Sequence, residues 1–144
     1  MAHVSDLLDR KGHDVLTIEA DATVLDAIKQ MVDGNVGALL VMADGNLAGI
    51  ITERDYLRRV TLEGRTESET AVREIMSSPI VYVTEETTVE ECMAVMTERR
   101  IRHLPVLDEE KKLAGIVSIG DVVKFTSSQQ DVQIRLLTDY IGLR

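Results

Sequence analysis

The 144-residue chain has no tryptophan, one phenylalanine and three tyrosines, so its core must be made of Val, Ile, Leu and Met. Its one cysteine, Cys92, cannot form an internal disulfide, and a reducing compartment is the simpler setting. Lying on an apolar stripe with no partner signal, Cys92 reads as packing rather than chemistry. No uninterrupted apolar run approaches the roughly 20 residues that span a bilayer. The opening stretch MAHVSDLLDRKGHD is mixed and acidic, unlike a secretory signal, so a cytoplasmic protein is expected. Basic residues are outnumbered, 16 Lys and Arg against 25 Asp and Glu, for a net charge of −9. That balance argues against a broad nucleic-acid surface but leaves room for a local anion site. The histidines, His3, His13 and His103, show no ligand-pair spacing, and no His/Cys cluster suggests zinc. There is no glycine-rich loop followed by Lys-Ser/Thr, and no carboxylate pair with evident shared geometry. Catalysis is not expected.

What the chain does have is a repeat. Thr23-Val24, Met31 and Val41 recur 65 residues later as Thr88-Val89, Met96 and Val106. After a one-residue insertion, LAGI at Leu47–Ile50 recurs letter for letter at Leu113–Ile116, and Asp55 recurs as Asp121. The openings match in type, Val4-Ser-Asp-Leu-Leu8 beside Val72-Arg-Glu-Ile-Met76. Two copies of one unit of about 60 residues follow from this agreement of type and order.

Each unit has the same coarse layout. A short strand (Val15–Ile18; Ile80–Val83) leads through a polar turn to a helix (Val24–Val32; Val89–Thr97), whose apolar residues keep the helical period. Thr23 with Asp26, and Thr88 with Glu91, have capping-box spacing, and Gly34-Asn35 is a helix stop. Two apolar strands follow, Ala38–Met42 and Leu47–Ile51, then Ile101–Leu107 and Leu113–Val117 in the second copy. A second helix begins at Thr52 or Ser118. The fold class is therefore α+β, a tandem β-α-β-β-α repeat whose copies pack on each other because one has too little core alone. The expected boundaries are 1–62 for the first unit, a polar linker over 63–71, 72–127 for the second unit and an amphipathic terminal helix over 128–144. The apolar helix faces around Met31, Cys92, Met93 and Met96 suit either a dimer surface or the internal core.

The stretches GIITERD (Gly49–Asp55) and GIVSIGD (Gly115–Asp121) carry the chemistry. Thr52 with Asp55, and Ser118 with Asp121, read as helix capping boxes. Their place at a strand-to-helix switch gives them a second reading. Helix N–H groups there attract an anion, and a hydroxyl can donate one more bond to phosphate. A carboxylate about one turn on suits a sugar diol, and the preceding glycine allows close approach of backbone to a ligand. Basic residues accompany these elements: Arg54, Arg58 and Arg59 in the first copy, and Arg99, Arg100, Arg102 and His103 in the second.

VGALLVM followed by LAGIITERD, and IRHLPVLD followed by LAGIVSIGD, resemble the CBS domain, and the tandem resembles the two-domain CBS pair, or Bateman module. The resemblance runs from Val4 to about Val60 and from Val72 to about Lys124. Its nearest look-alikes are short stand-alone proteins of bacteria and plant organelles. It implies sheets packed face to face with pseudo-twofold symmetry and two clefts for adenosine nucleotides: AMP, ADP or ATP, and in some members NAD or S-adenosylmethionine. Thr52 and Ser118 would contact phosphate, Asp55 and Asp121 the ribose hydroxyls, and Ile18, Ile50, Val83 and Ile116 would flank the adenine. Arg102 and His103 match a pair of positions that often reach phosphate, but their counterparts in the first copy, Gly37 and Ala38, are uncharged. Arg54 would stand in there, whereas its own counterpart is Gly120, so the two clefts should differ. The resemblance further implies a homodimer forming a four-domain disc, and a regulatory role toward a separate partner protein. The alternative is a non-catalytic interaction scaffold whose clefts hold no nucleotide.

Overall fold

In the computed structural model, residues 1–78 and 80–128 are described. The expected terminal helix over 128–144 lies almost wholly outside them. Each copy places a short helix before the expected series: α1 (Val4–Lys11) and α4 (Val72–Ile75). The first copy continues with β1 (Thr17–Glu19), α2 (Val24–Gly34), β2 (Ala38–Ala43), β3 (Asn46–Thr52) and α3 (Glu53–Tyr56), which widens into a π-helical turn over Leu57–Thr61. The second has β4 (Val83–Thr84), α5 (Val89–Arg99), β5 (His103–Leu107), β6 (Leu113–Ser118) and α6 over residues 119–128.

The helices start and stop where local chemistry directs. Thr23 accepts the Asp26 N–H at 3.1 Å, and Thr88 forms the full reciprocal box with Glu91. Both α2 and α5 end in a left-handed residue, Asn35 and Arg100, whose N–H groups return to carbonyls of the last turn. This cap also explains why β5 starts at His103 rather than at Ile101. The Ile101 N–H is still turned back to Met96 O, at 3.0 Å.

Each copy forms a three-stranded sheet, β1-β2-β3 and β4-β5-β6, with a parallel pair followed by an antiparallel pair. The irregularity in the antiparallel ladder falls at Val41/Met42 in one sheet and at the matching Val106/Leu107 in the other. The first strands are later than expected, Thr17–Glu19 instead of 15–18 and Val83–Thr84 instead of 80–83, because only those residues meet a parallel partner.

Two compact units form, but each contains a segment from the other copy: Asp14–Tyr82 is one, and Met1–His13 with the described residues from Val83 onward is the other. The exchange is symmetric bond for bond. Val4 and Ser5 N–H groups donate to Thr87 O and Glu85 O, while Val72 and Arg73 donate to Ala22 O and Ala20 O. Val89 N–H donates to Ala2 O as Val24 N–H donates to Thr70 O. The opening segment of each copy therefore supplies acceptors for orphan N–H groups at the other copy's helix start.

The polar stretch expected over 63–71 belongs to this arrangement. Glu67 O receives the Leu25 N–H, Tyr56 Oη donates to Glu67 at 2.7 Å, and Thr70 is buried with its hydroxyl on Thr66 O. The segment thus seats the first turn of α2. In the unit formed by Asp14–Tyr82, the core joins Ile18, Val24, Ala27, Met31, Leu39, Val41, Ile51 and Val60 to Val72 and Ile75 of the exchanged segment. In the other unit Val4, Leu7 and Leu8 are buried, as are Cys92, Met96, Leu104, Val106, Val117 and Val122. Met31, Cys92 and Met96 are therefore core, because the helical period turns them inward. Of the four residues weighed as a dimer surface, Met93 is the exposed one, at 43%.

Candidate functional site

The two strand-to-helix turns are built alike in the main chain. In the sheets, Ala38 lies opposite Thr52 and His103 lies opposite Ser118, which places Gly37-Ala38 and Arg102-His103 at equivalent positions. The first helical N–H of each turn is also satisfied equivalently, Glu53 by Gly37 O at 3.1 Å and Ile119 by Arg102 O at 2.8 Å.

Both capping boxes form. Asp55 N–H donates to Thr52 Oγ1 at 3.2 Å and Thr52 N–H donates back to Asp55 Oδ2 at 3.0 Å. Asp121 N–H donates to Ser118 Oγ at 3.0 Å and Ser118 N–H to Asp121 Oδ2 at 2.8 Å. Satisfying orphan helix donors in this way accounts for the T/S-x-x-D spacing on its own.

Beyond the boxes the turns diverge. In the first copy Thr52 Oγ1 also donates to Asp55 Oδ2 at 3.1 Å, and the Ser77 hydroxyl donates to Asp55 Oδ1 at 3.1 Å. Both carboxylate oxygens are engaged, and Asp55 is 9% exposed. Ser77 N–H also donates to Ile50 O at 2.8 Å, so the exchanged segment closes over the turn. In the second copy that place is taken by a cation. Lys11 Nζ, at the end of α1, donates to Ile116 O at 2.6 Å and Asp121 Oδ2 at 2.5 Å. The Asp121 side chain keeps 23% exposure. Burial alone would push its carboxyl up, but Lys11 and the Ser118 hydrogen bonds together hold it below the usual carboxylate value.

Sequence reasoning singled out neither Lys11 nor Ser77. Their signal was positional: Lys11 lies three residues and Ser77 one residue beyond the matched openings, in segments whose destination the repeat did not reveal. The glycines also serve the packing of the chain on itself. Gly49 and Gly115 are buried, and the close approach they permit is to Met76 and Ser77, and to Leu8, of the chain itself.

The other candidate residues divide by exposure. Ile18 and Val83 are each 5% exposed, with Ile18 inside the core, while Ile50 and Ile116 are partly exposed. Arg54 is exposed on α3, Arg102 is exposed just before β5, and His103 is partly buried at its first residue. Gly120, the counterpart of Arg54, lies in α6. No group of three or more His, Cys, Asp or Glu that could hold a metal occurs among the described residues.

A twice-repeated α+β unit that caps a strand-to-helix turn with a hydroxyl and a carboxylate, and closes it with the other copy's opening segment, defines a paired module. The chain belongs to the CBS-domain family, whose model matches residues 4–61 and 72–128. Such pairs are generally regulatory and ligand-binding. The mitochondrial CBS domain-containing protein CBSX3 of Arabidopsis thaliana is 43% identical over 147 residues, covering 96% of this chain and 71% of the relative. A solved CBS-domain structure from Burkholderia ambifaria, described in terms of signal transduction, is 45% identical with a TM-score of 0.86, covering 90% of this chain and 96% of that one. A hexameric CBS-CP12 protein from bloom-forming cyanobacteria is 32% identical with a TM-score of 0.76, covering 85% and 70% respectively. Among the described residues no helix is long and apolar enough to cross a membrane.

Proposed function

We propose that the chain is a non-catalytic regulatory module that binds an adenosine nucleotide (AMP, ADP, ATP or NAD) at the Ser118–Asp121 turn and signals its occupancy to a partner protein. The observation that carries this reading is the difference between the two carboxylates. Asp55 is 9% exposed with both oxygens engaged. At Asp121 the Lys11 and Ser118 N–H bonds converge on Oδ2, and among the described residues this leaves Oδ1 for the hydroxyls of a ribose. Arg102 adjoins that turn through the β5–β6 pairing, next to His103, and supplies the positive charge a phosphate requires. Ile116, partly exposed and two residues before Ser118, is the apolar residue offered to the adenine. The first-copy turn, its Asp55 buried and its Gly37-Ala38 uncharged, serves as structure.

Calorimetric titration of nucleotide-stripped protein with AMP, ADP, ATP, NAD and S-adenosylmethionine tests this, with Asp121→Ala and Asp55→Ala in parallel. Asp121→Ala should weaken binding. Because loss of a cap costs about 1 kcal/mol, melting is measured beside binding. Unchanged affinity in both variants would remove the carboxylate clamp. Binding of none of the five ligands would favour the scaffold reading, which the internally satisfied capping boxes also accommodate.

Self-association into a homodimer with four CBS domains is part of the proposal. The hexameric relative supports assembly of such modules. So does the exposure of Val32 on α2 and Val123 on α6, 73% and 56%. Light scattering in the presence and absence of AMP reads the state directly.

A further inference from the structure

In both copies the same two acceptors, a β-strand carbonyl and the capping carboxylate, are covered by the exchanged segment, but with different chemistry. Ser77 covers Ile50 O and Asp55 with a main-chain N–H and a hydroxyl, at 2.8 and 3.1 Å. Lys11 covers Ile116 O and Asp121 with one ammonium, at 2.6 and 2.5 Å. The first arrangement is part of a two-way main-chain bridge, since Ile50 N–H also donates to Ser77 O at 3.2 Å, and it cannot open without breaking that bridge. The second ends on a flexible four-carbon stem. Its ammonium can change partner while the backbone of α1 stays in place, held by Leu7 and Leu8 in the core. Lys11 and Asp121 are 30% and 23% exposed, so solvent and a ligand can both reach the pair. The chain carries a net charge of −9, and Lys11, with the exposed Arg102 just before β5, offers an anionic ligand positive charge at this turn.

Resting on the nucleotide reading above, we propose that Lys11 is the phosphate-selecting residue of the second-copy site. It neutralises Asp121 while the site is empty and passes to the ligand's phosphate on binding, freeing the carboxylate for the ribose hydroxyls. Two consequences follow. The site prefers a phosphorylated nucleoside to the bare nucleoside, and the end of α1 changes its contacts on occupancy.

The test compares AMP with adenosine by calorimetry on the full chain, in wild type and in Lys11→Met, Lys11→Gln and Lys11→Arg, with a melting curve for each. Both uncharged variants should lose AMP affinity by about tenfold or more, the scale of one charge-assisted hydrogen bond, while adenosine affinity changes less than about twofold. Lys11→Arg should keep the preference for AMP. A second arm needs no variant: the Cε resonance of Lys11 in wild type should shift on adding AMP and stay in place on adding adenosine. Equal losses for AMP and adenosine, unchanged AMP affinity in the folded variants, or an unmoved resonance with AMP bound would each overturn the role of Lys11 and leave the nucleotide reading standing. Wild type that binds neither compound would overturn both.

Discussion

The main-chain oxygen of Ser77 lies 2.9 Å from where a β-carbon on Gly49 would sit, and Met76 Sδ lies 2.7 Å from the same point. At the matching Gly115 the atoms nearest to a β-carbon would be those of the Leu8 side chain, at 3.0 and 3.1 Å. A backbone oxygen held in the Ile50–Ser77 bridge cannot step aside, whereas a leucine can change rotamer. Gly49→Ala should therefore destabilise by about 1–3 kcal/mol, the range for forced overpacking, and Gly115→Ala by clearly less. Urea denaturation of both variants measures the difference. Equal costs would show that the exchanged segments are seated with equal rigidity.

Ser77 also decides how Asp55 tolerates burial. Removing its hydroxyl leaves Asp55 Oδ1 without its donor at a residue 9% exposed. Ser77→Ala should cost about 1–3 kcal/mol for that reason. The exposed neighbour provides the control, since Ser78→Ala should stay within about 0.5 kcal/mol of wild type. A Ser77→Ala melt matching that of Ser78→Ala would mean water replaces the hydroxyl at no cost.

The elements legible in the sequence were those whose signals are local. The α2 stripe Val24, Ala27, Ile28 and Met31, the caps at Thr23, Thr88, Thr52 and Ser118, and the Asn35 stop all lie within a few residues of what they specify. The segment exchange was not legible. Val4 and Val72 show that the openings are alike, but nothing near them says on which sheet they settle. Lys11 was hidden for the same reason, because its acceptor Asp121 is 110 residues away. Read locally, Arg10-Lys11 before Gly12 is a basic helix end opposing the dipole. The turn around the buried Asp55 and the one around the partly exposed Asp121 share one sequence pattern, so their difference arises from what long-range packing lays over each.

Asp121 has a folded-state value held below its ordinary 3.8, which fixes the sign of its pH dependence. Its contribution to stability is present in full above the unfolded value and is lost as pH falls through the folded one. Lys11 supplies much of that lowering, against the opposing effect of burial. Wild type should therefore exceed Lys11→Met in stability by a constant margin above about pH 5, and the margin should narrow as pH falls through 3.8 and below. Denaturation curves across the acid range check this. A margin independent of pH would mean Lys11 acts through packing of its stem rather than its charge.

Cys92 gives a prediction of opposite sign. It is fully buried on α5, and burial pushes its thiol up from 9.0 to about 11. A group whose ordinary value is raised favours its neutral form in the fold. Its stabilisation is complete below pH 9.0 and is lost as pH rises through about 11. The thiolate is the reactive species, so the native protein should resist a disulfide reagent such as DTNB at pH 8. One equivalent of thiol should appear only after denaturation, because Cys92 is the sole cysteine. Cys92→Ser would place a hydroxyl where the thiol packs beside the buried stripe of Val89 and Met96, and should lower stability by about 1–3 kcal/mol. Fast labelling of the native protein at pH 8 would show that α5 opens locally well below the cost of global unfolding. The Met96 and Cys92 face would then be accessible to a partner and not confined to the core.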